Sequence, residues 1–198
     1  MKPADHPEFF LRPPPPGRSR ESTLRLDREG RFWHDGRLVE HPGMARSFAA
    51  WMDRHPADGR FILNNGYDWT YLEVEDAPCH VRTLHARTVP PRTPPIPGGG
   101  LSGDSAPGEP WLELADGSQE PLDPSTLWEG AGGALYCLVR EGRFSARFSQ
   151  AAQLALEPYL VETSEGKVAV AVGRRLHPVG PAPVGSTPGG AATPRGRV

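Results

Sequence analysis

Three carboxylates near the middle of the chain are the residues best suited to chemistry. Glu73, Glu75 and Asp76 follow one another closely, just before Ala77 and Pro78. Because side chains alternate between the two faces of a strand, Glu73 and Glu75 share a face and could share a proton or a divalent cation. This spacing permits a carboxylate-dependent or metal-assisted hydrolase. The sequence favours the alternative, an exposed strand face followed by a turn in which Asp76 bonds its own backbone.

Nucleophilic and metal chemistry have less support. Cys79 and His80 are neighbours, so in a strand they point to opposite faces and cannot form a nucleophile–base pair. The histidines at positions 34, 41, 55, 80 and 85 show neither the i, i+4 spacing nor the paired-cysteine motif that gathers metal ligands. We therefore predict no catalytic residue beyond the alternative carboxylates, no metal ion and no cofactor.

An aromatic strand is the better candidate for binding. Tyr67, Trp69 and Tyr71 alternate, which predicts that they share one face. Stacked aromatic residues can hold nucleic-acid bases, but such platforms lie in basic grooves, and acidic residues surround this one. If the face is exposed, we expect it to bind a protein or peptide. The alternative, favoured because large aromatic side chains seldom stay uncovered, is that it packs beneath a helix carrying Phe48 and Trp51.

The elements that position these residues follow from local patterns. Asn65-Gly66 predicts a two-residue hairpin turn between Phe61–Asn64 and the aromatic strand, with Ile62 opposite Trp69. Leu63, Leu72 and their neighbours on the other face are predicted to be core. Ahead of this hairpin, a helix is predicted from Pro42 to the residues before His55-Pro56. Its buried stripe would comprise Met44, Phe48, Trp51 and Met52.

The second half has its own patterns. Ser149 is a natural cap for a helix over Gln150–Glu157, predicted to bury Ala151, Leu154 and Ala155. A final hairpin is predicted around Glu165-Gly166. The pentapeptide at residues 28–32, Arg-Glu-Gly-Arg-Phe, recurs at residues 140–144. Two explanations of this recurrence, a duplicated strand-plus-helix unit and chance, have about equal weight.

Composition divides the 198 residues into five parts. Residues 1–20, 86–110 and 178–198 hold 18 of the 24 prolines and 11 of the 23 glycines. We therefore predict a disordered leader over 1–20, a first β-rich unit with one helix over 21–85, and a Pro/Gly-rich insert over 86–110. A second β-rich unit with one helix is predicted over 111–177, and a disordered tail over 178–198. The predicted fold class is α+β, β-rich.

Charge and cysteine content limit the partners. The formal net charge is −2, with no long run of one sign, so we expect neither nucleic acid nor a membrane surface as a partner. No apolar run approaches the length of a membrane span, and the first 20 residues lack the apolar core of a signal peptide. Cys79 and Cys137 form no paired motif, which indicates two ordinary thiols in a reducing, cytoplasmic compartment.

Several of these segments resemble a known family. Gly30–Trp33, Asp58–Phe61 and above all Leu72–Pro78 are similar to the bacterial domain of unknown function 1285 (DUF1285). The resemblance covers residues 22–84 and continues more weakly through Leu135–Arg140. It implies a β-rich fold of two similar units, each with a helix, no established activity, and at most a role in signalling or interaction. The segment from Phe148 onward also resembles the eukaryotic uncharacterised protein family 0598, which has no known function either.

The sequence therefore favours a non-enzymatic binding or regulatory module that contacts an unidentified protein or peptide, either through Tyr67, Trp69 and Tyr71 or through the cleft between its two units. The alternative is the carboxylate-dependent hydrolase that uses Glu73, Glu75 and Asp76.

Overall fold

The computed structural model describes residues 3–87, 108–163, 166–172 and 175–182. The predicted insert lies almost wholly outside the described residues, and so does most of the predicted tail. Within these ranges the chain is strand-rich with two α-helices, which confirms the α+β, β-rich class.

The strands, numbered in chain order, form four sheets. They are β1 (Arg25–Leu26), β2 (Phe32–His34), β3 (Arg37–Leu38), β4 (Met52–Arg54), β5 (Phe61–Asn64), β6 (Trp69–Tyr71), β7 (Glu73–Val74), β8 (Cys79–Arg87), β9 (Glu109–Leu114), β10 (Gln119–Pro121), β11 (Trp128–Glu129), β12 (Leu135–Val139), β13 (Phe144–Phe148), β14 (Leu160–Glu162), β15 (Val168–Val172) and β16 (Arg175–Pro178). The α-helices are α1 (Pro42–Ala50) and α2 (Gln150–Leu156). Short 3₁₀ helices are Pro3–Asp5, Pro7–Leu11, Pro124–Thr126, Ala131–Gly133 and Glu157–Tyr159.

The first unit is built from two small sheets and α1. One sheet has the order β3-β2-β1-β7, with β1 and β7 parallel, and the other has the order β4-β5-β6. Between them lies the first core, in which Phe48 and Trp51 of the helical region pack from one side. As predicted, Leu63 and Leu72 are buried there. The buried members of the first core are Leu24, Leu26, Phe32, Met52, Leu63 and Leu72.

The second unit is a six-stranded sheet with the order β10-β9-β8-β13-β12-β11, in which β8 and β13 are parallel. Helix α2 and the sheet β14-β15-β16 close the core on one face. The strand Cys79–Arg87 therefore belongs to this unit, although the sequence analysis placed most of it in the first. Its apolar residues Cys79, Val81 and Leu84 pack with Phe144 and Phe148. The strand is assigned to the second unit because these side chains are buried in that unit's core.

Arg140 joins the two units at the β12–β13 turn. Its guanidinium donates hydrogen bonds to the carbonyls of Ala49 and Met52 at 3.0 and 3.1 Å, and to Asp116 Oδ2 at 3.0 Å. The bond to Ala49 places a positive charge at the C-terminal end of α1, where the helix dipole favours it. Arg140 holds this position with a φ of +52°, a left-handed conformation that non-glycine residues seldom adopt.

Two helix predictions need correction. Helix α1 ends at Ala50, because the chain reverses at Trp51 and Met52–Arg54 then pairs with β5 as a strand. Met44, predicted to be buried, is exposed. In α2 the Ser149 cap is confirmed, since its Oγ accepts from the Ala152 amide at 3.1 Å.

The buried face of α2 differs from the predicted one. It presents Ala152 and Leu156 to the core, whereas Ala151 and Leu154 are exposed and Ala155 is only partly buried. The helix packs against β8 through one face. The residues on that face lie four positions apart, so they differ from the predicted set.

The β5–β6 hairpin is shifted by two residues from the predicted pairing. Ile62 lies opposite Tyr71 and Asn64 opposite Trp69, so four residues, 65–68, form the loop. The side-chain oxygen of Asn65 accepts from the amides of Tyr67 and Asp68, both at 2.8 Å, and this bonding stabilises the longer turn. Because the shift is even, the same side chains keep the same faces. The predicted hairpin of β14 and β15 is confirmed, but it is not the last one, because β16 follows and pairs with β15.

The N-terminal residues differ from the disordered leader predicted over 1–20. Residues 3–11 form two 3₁₀ helices that lie against the β4-β5-β6 sheet, and the Phe9 side chain is only 3% exposed. Burial of two aromatic side chains, Phe9 and Phe10, offsets the entropy cost of ordering this proline-rich segment.

The repeated pentapeptide turns differently in its two places. Gly30 and Gly142 share a positive φ near 80°, but Arg140 and Glu141 are also left-handed while Arg28 and Glu29 are not. A duplicated unit therefore stays a prediction.

Candidate functional site

The three carboxylates do not converge. Glu73 is exposed on β7, and Glu75 forms an ion pair with Arg25 of the neighbouring strand and accepts from the Arg28 amide at 3.3 Å. Asp76 points elsewhere and is only 7% exposed, at the junction of the two units. Instead of bonding its own turn, as expected, it accepts hydrogen bonds from the second unit. Within the described ranges, no group of three or more His, Cys, Asp or Glu side chains is placed to hold a metal ion.

Asp76 is held by a row of side chains on one face of the six-stranded sheet. Tyr136, Arg147 and His80 lie side by side on β12, β13 and β8. The Tyr136 hydroxyl donates to Asp76 Oδ2 at 2.9 Å, and Arg147 Nη1 donates to the same oxygen. His80 Nε2 lies 3.2 Å from the Arg28 carbonyl. The row thus fixes the first unit against the second through charge-assisted hydrogen bonds.

Burial and neighbouring charges shift the pKa values of the three side chains in this row. Burial, then the bond to Asp76, raises the pKa of Tyr136 above its ordinary value. Burial acts to lower the pKa of Arg147, but its hydrogen bond to Asp76 and nearby negative charges raise it overall. Burial also holds the pKa of His80 below its ordinary value. These groups stay in one charge state near neutral pH, which is typical of a structural junction rather than of an acid–base pair.

The neighbouring thiol has no catalytic setting either. As predicted, Cys79 and His80 face opposite ways: Cys79 lies in the second core, and His80 lies against Gly30 and Arg28 of the first unit. Burial raises the pKa of Cys79 to about 12, so the thiol is neutral at physiological pH. Cys137 is buried in the same core, and both cysteines are free.

The predicted aromatic binding residues are divided by the structure. Tyr67 lies in the hairpin loop and is 70% exposed, whereas Trp69 is 6% exposed and Tyr71 is partly buried. Trp69 and Tyr71 pack edge to face, with ring centroids 5.1 Å apart. His55 lies over both, at 4.7 Å from Trp69 and 5.6 Å from Tyr71.

The cover of this face is the leader rather than helix α1. Phe9 packs with Ile62 and Trp69, and the Phe10 ring lies 6.1 Å from that of Trp69. Phe48 and Trp51, expected to cover the face, pack in the first core on the opposite side of the hairpin. The aromatic face is therefore an internal layer between the hairpin and residues 3–11.

This layer contains polar groups without hydrogen-bond partners. Among the described residues, the buried side-chain nitrogens of Trp69 (Nε1) and Arg20 (Nε) have no acceptor. His55 Nδ1 has no hydrogen-bond partner either, although Asp58 Oδ1 lies 3.3 Å away, because that contact misses hydrogen-bond geometry. An unpartnered buried donor costs about 1–3 kcal/mol, and such groups are rare in native structures.

Beside the layer lies an open cleft of about 300 Å³, which we call the leader cleft. The later part of the leader, the first core and the β5–β6 hairpin each contribute a wall. Its lining residues are Pro15, Arg18, Ser19, Arg20, Ser22, Leu24, His34, Phe48, Trp51, Leu63, Asn65, Asp68, Trp69 and Thr70. The size and mixed lining match those of small ligand clefts, which span about 300–1,000 Å³.

The charges of the leader cleft are partly paired. Arg20 donates to Asp68 and to the Trp69 carbonyl, and its guanidinium carbon lies 4.5 Å from the Trp69 ring centroid. Partial burial acts to raise the pKa of Asp68, but the bond from Arg20 and the charge of Arg18 hold it below its ordinary value. The Arg18 side chain forms no hydrogen bond or ion pair with any described residue. With two arginines and one carboxylate among its lining residues, the cleft carries a net positive charge.

The leader's part in this site was not predicted, because residues 1–20 were assigned to a disordered leader on their composition. A signal was present in Phe9 and Phe10, two adjacent aromatic residues in a segment that otherwise has none. Large aromatic side chains seldom stay exposed, so these two residues indicate that the segment packs against another surface.

None of the helices in the described residues is long and apolar enough to span a membrane.

No family model matches the chain, and none of the curated proteins matches it. Among solved structures, a DUF1285 family protein from Silicibacter pomeroyi DSS-3 is similar at 18% identity, over 88% of this chain and 86% of that one, with a TM-score of 0.59. A DUF1285 family protein from Shewanella baltica OS155 has 15% identity over 67% of this chain and 88% of that one, with a TM-score of 0.45. The first likeness shows a shared fold, and it confirms the DUF1285 resemblance at that level.

Proposed function

We propose that this protein is a non-enzymatic binding module that holds a peptide segment of a protein partner in the leader cleft. The observation that carries the proposal is an open cleft whose lining combines the aromatic side chains of Phe48, Trp51 and Trp69 with the exposed Arg18. Aromatic side chains supply contact area at low entropy cost, and the Arg18 guanidinium would donate hydrogen bonds to carbonyl or carboxylate oxygens of a bound peptide. The aromatic residues identified from the sequence thus contribute Trp69 to the site.

The alternative function, a carboxylate-dependent hydrolase, needs Glu73, Glu75 and Asp76 around one substrate. Glu75 and Asp76 are each engaged by a different arginine, Arg25 and Arg147. Nothing in this geometry favours hydrolysis, and binding is the better-supported function. A regulatory role in the cytoplasm fits two free, buried thiols, and it rests on the binding function.

The test is selection of a random-peptide phage library on the intact protein, followed by titration of enriched synthetic peptides. Ser19 is exposed at the cleft, so Ser19→Trp fills the cleft from a position where the fold tolerates change. We expect Ser19→Trp to weaken binding at least tenfold, while Glu40→Trp, at an exposed site outside the cleft, leaves binding intact.

The Tyr67→Ala variant separates the leader cleft from the hairpin loop. Because Tyr67 does not line the cleft, we expect its removal to leave peptide affinity unchanged. The proposal is wrong if no peptide class is enriched over an inert protein, or if Ser19→Trp binds enriched peptides as tightly as the wild type does.

A further inference from the structure

We propose that residues 3–11 exchange between two copies of this chain, so that each copy docks this segment on the aromatic face of the other and a closed dimer forms. The inference goes beyond the proposed peptide binding and does not depend on it. Three features support it: the way the segment is held, the face that it covers and the turn that follows it.

The first feature is that two aromatic side chains hold the segment. Phe9 is 3% exposed and packs on Ile62 and Trp69, and the Phe10 ring lies beside the same tryptophan. These contacts join side chains of the segment to side chains of the β5–β6 hairpin, and neither set depends on the residues that link the two. The same segment from a second copy would therefore make the same contacts.

The second feature is the face beneath the segment. Its members are Ile62, Trp69, Tyr71 and His55. If the segment leaves, this face is exposed, and a contiguous apolar patch needs a new cover. In an exchanged pair each copy vacates the face that its partner fills. The contacts are then conserved, and the association closes as a two-fold symmetric dimer rather than extending into a fibre.

The third feature is a tight turn behind the segment. Residues 15–18, Pro-Pro-Gly-Arg, form a turn that is closed by a hydrogen bond from the Arg18 amide to the Pro15 carbonyl at 3.0 Å. Gly17 has a φ of +74°, in the left-handed region that favours glycine. If this turn opens, residues 13–20 straighten. Proline-rich chain extends by about 3.1 Å per residue, so these eight residues would span about 25 Å and reach a neighbouring molecule.

The Gly17 turn sets the balance between monomer and dimer. A short linker gives the segment an effective concentration in the millimolar range at its own face, so the wild type is mainly monomeric at micromolar concentrations. A side chain at position 17 disfavours the left-handed turn about fivefold or more. The exchanged dimer contains two straightened linkers and neither turn, so this factor enters its association constant twice.

The experiment measures the mass of the full chain by sedimentation equilibrium from about 1 µM to about 1 mM, a range that includes the effective concentration. Each sample is first unfolded in urea and refolded so that exchange reaches equilibrium. The Gly17→Ala variant is compared with Gly36→Ala, whose glycine has a φ of +71° in the β2–β3 turn. An added Cβ meets no described atom within 4 Å at either glycine, so the two variants carry the same backbone penalty in different places.

We expect Gly17→Ala to raise the dimer association constant at least about twentyfold, whereas Gly36→Ala should match the wild type. Two double variants then identify the contact surface. Gly17→Ala with Phe9→Ala should be monomeric, because the exchanged segment loses its buried ring. Gly17→Ala with Leu11→Ala should remain dimeric, because Leu11 is exposed.

Two results would overturn the inference. One is that Gly17→Ala associates no more strongly than Gly36→Ala, which would mean that opening the turn does not release the segment to a second copy. The other is a Gly17→Ala dimer that persists when Phe9 is replaced by alanine, which would show that the copies associate through another surface. Neither result bears on peptide selection by the leader cleft.

Discussion

Removing the two ends of the Asp76–Arg147 ion pair one at a time should cost unequal amounts of stability. The pair joins the first unit to β13 of the second, and its partners differ in access to water: the side chain of Arg147 is 27% exposed and that of Asp76 is 7% exposed. Arg147→Met leaves a carboxylate buried with one remaining donor, the Tyr136 hydroxyl. Asp76→Asn leaves an arginine that water can reach.

The expected magnitudes follow from these exposures. Stranding one member of a buried pair costs about 3–5 kcal/mol, and the Tyr136 bond should keep Arg147→Met near 3 kcal/mol. Asp76→Asn loses the charge but keeps an acceptor for Tyr136, so its cost should be about 1–2 kcal/mol. The double variant should then be more stable than the sum predicts by at least about 1 kcal/mol, because no buried charge remains.

The assay is urea unfolding followed by circular dichroism, with the slope of the free energy against urea checked for constancy. Arg143→Met is the matched control. Arg143 lies on the same β12–β13 hairpin and pairs with Asp53 of the first unit at 2.9 Å, but it is well exposed, so its loss should cost about 1 kcal/mol or less. The reasoning is refuted if Asp76→Asn costs more than Arg147→Met, or if the two changes add within about 0.5 kcal/mol.

Four further outcomes are expected. Phe9→Ala should lower the free energy of unfolding by about 3 kcal/mol in urea denaturation, whereas Leu11→Ala should change it by less than about 0.5 kcal/mol; equal effects would mean that the leader does not pack. Because burial depresses the pKa of His80, the folded state binds a proton less readily than the unfolded chain. Stability should therefore decline as pH falls below about 6.5, and stability measured at several pH values should show less of this decline in His80→Gln. Cys79, with its raised pKa, should react with a thiol reagent only at the rate of unfolding, and fast labelling of the native protein would contradict its burial. Arg140→Gly should be about 1 kcal/mol more stable than Arg140→Ala in thermal unfolding, since both lose the contacts to α1 but only glycine relieves the left-handed backbone; equal melting would count against strain there.

Local sequence patterns predicted those elements whose formation depends on residues close together in the chain. The Ser149 cap and the hairpin of β14 and β15 depend on a few neighbouring residues, and both are confirmed. The face of the hairpin that carries Leu63 and Leu72 was also predicted, because strand alternation survives a register shift of two. The end of α1 was not predicted. Trp51 and Met52 fit the buried stripe of a longer helix, and only pairing with β5 makes Met52 a strand residue.

Pairing between strands that lie far apart in the chain could not be predicted from the sequence. Nothing near Cys79 indicates that it will pair in parallel with a strand that begins at Phe144, or that Asp76 will meet Tyr136 and Arg147. The leader cleft was missed for the same reason, because its walls come from segments that carry no common motif. Strand alternation indicated Trp69 as a candidate binding residue, but its surroundings depend on what the leader places beside it.

The parallel pairing of β8 with β13 has a consequence for how the chain folds as it is synthesised. The residues of the first unit, including the leader, emerge before β8 has any partner strand, so all the residues that line the leader cleft are available for early assembly. Strand β8 can pair first with β9 along one edge, but its other edge must wait for Phe144–Phe148 and stays open until they are synthesised. Such delayed pairing slows folding and gives other chains an opportunity to add to the open edge. During vectorial synthesis, folding of the second unit rather than of the leader cleft should therefore be the step at which the chain needs a chaperone.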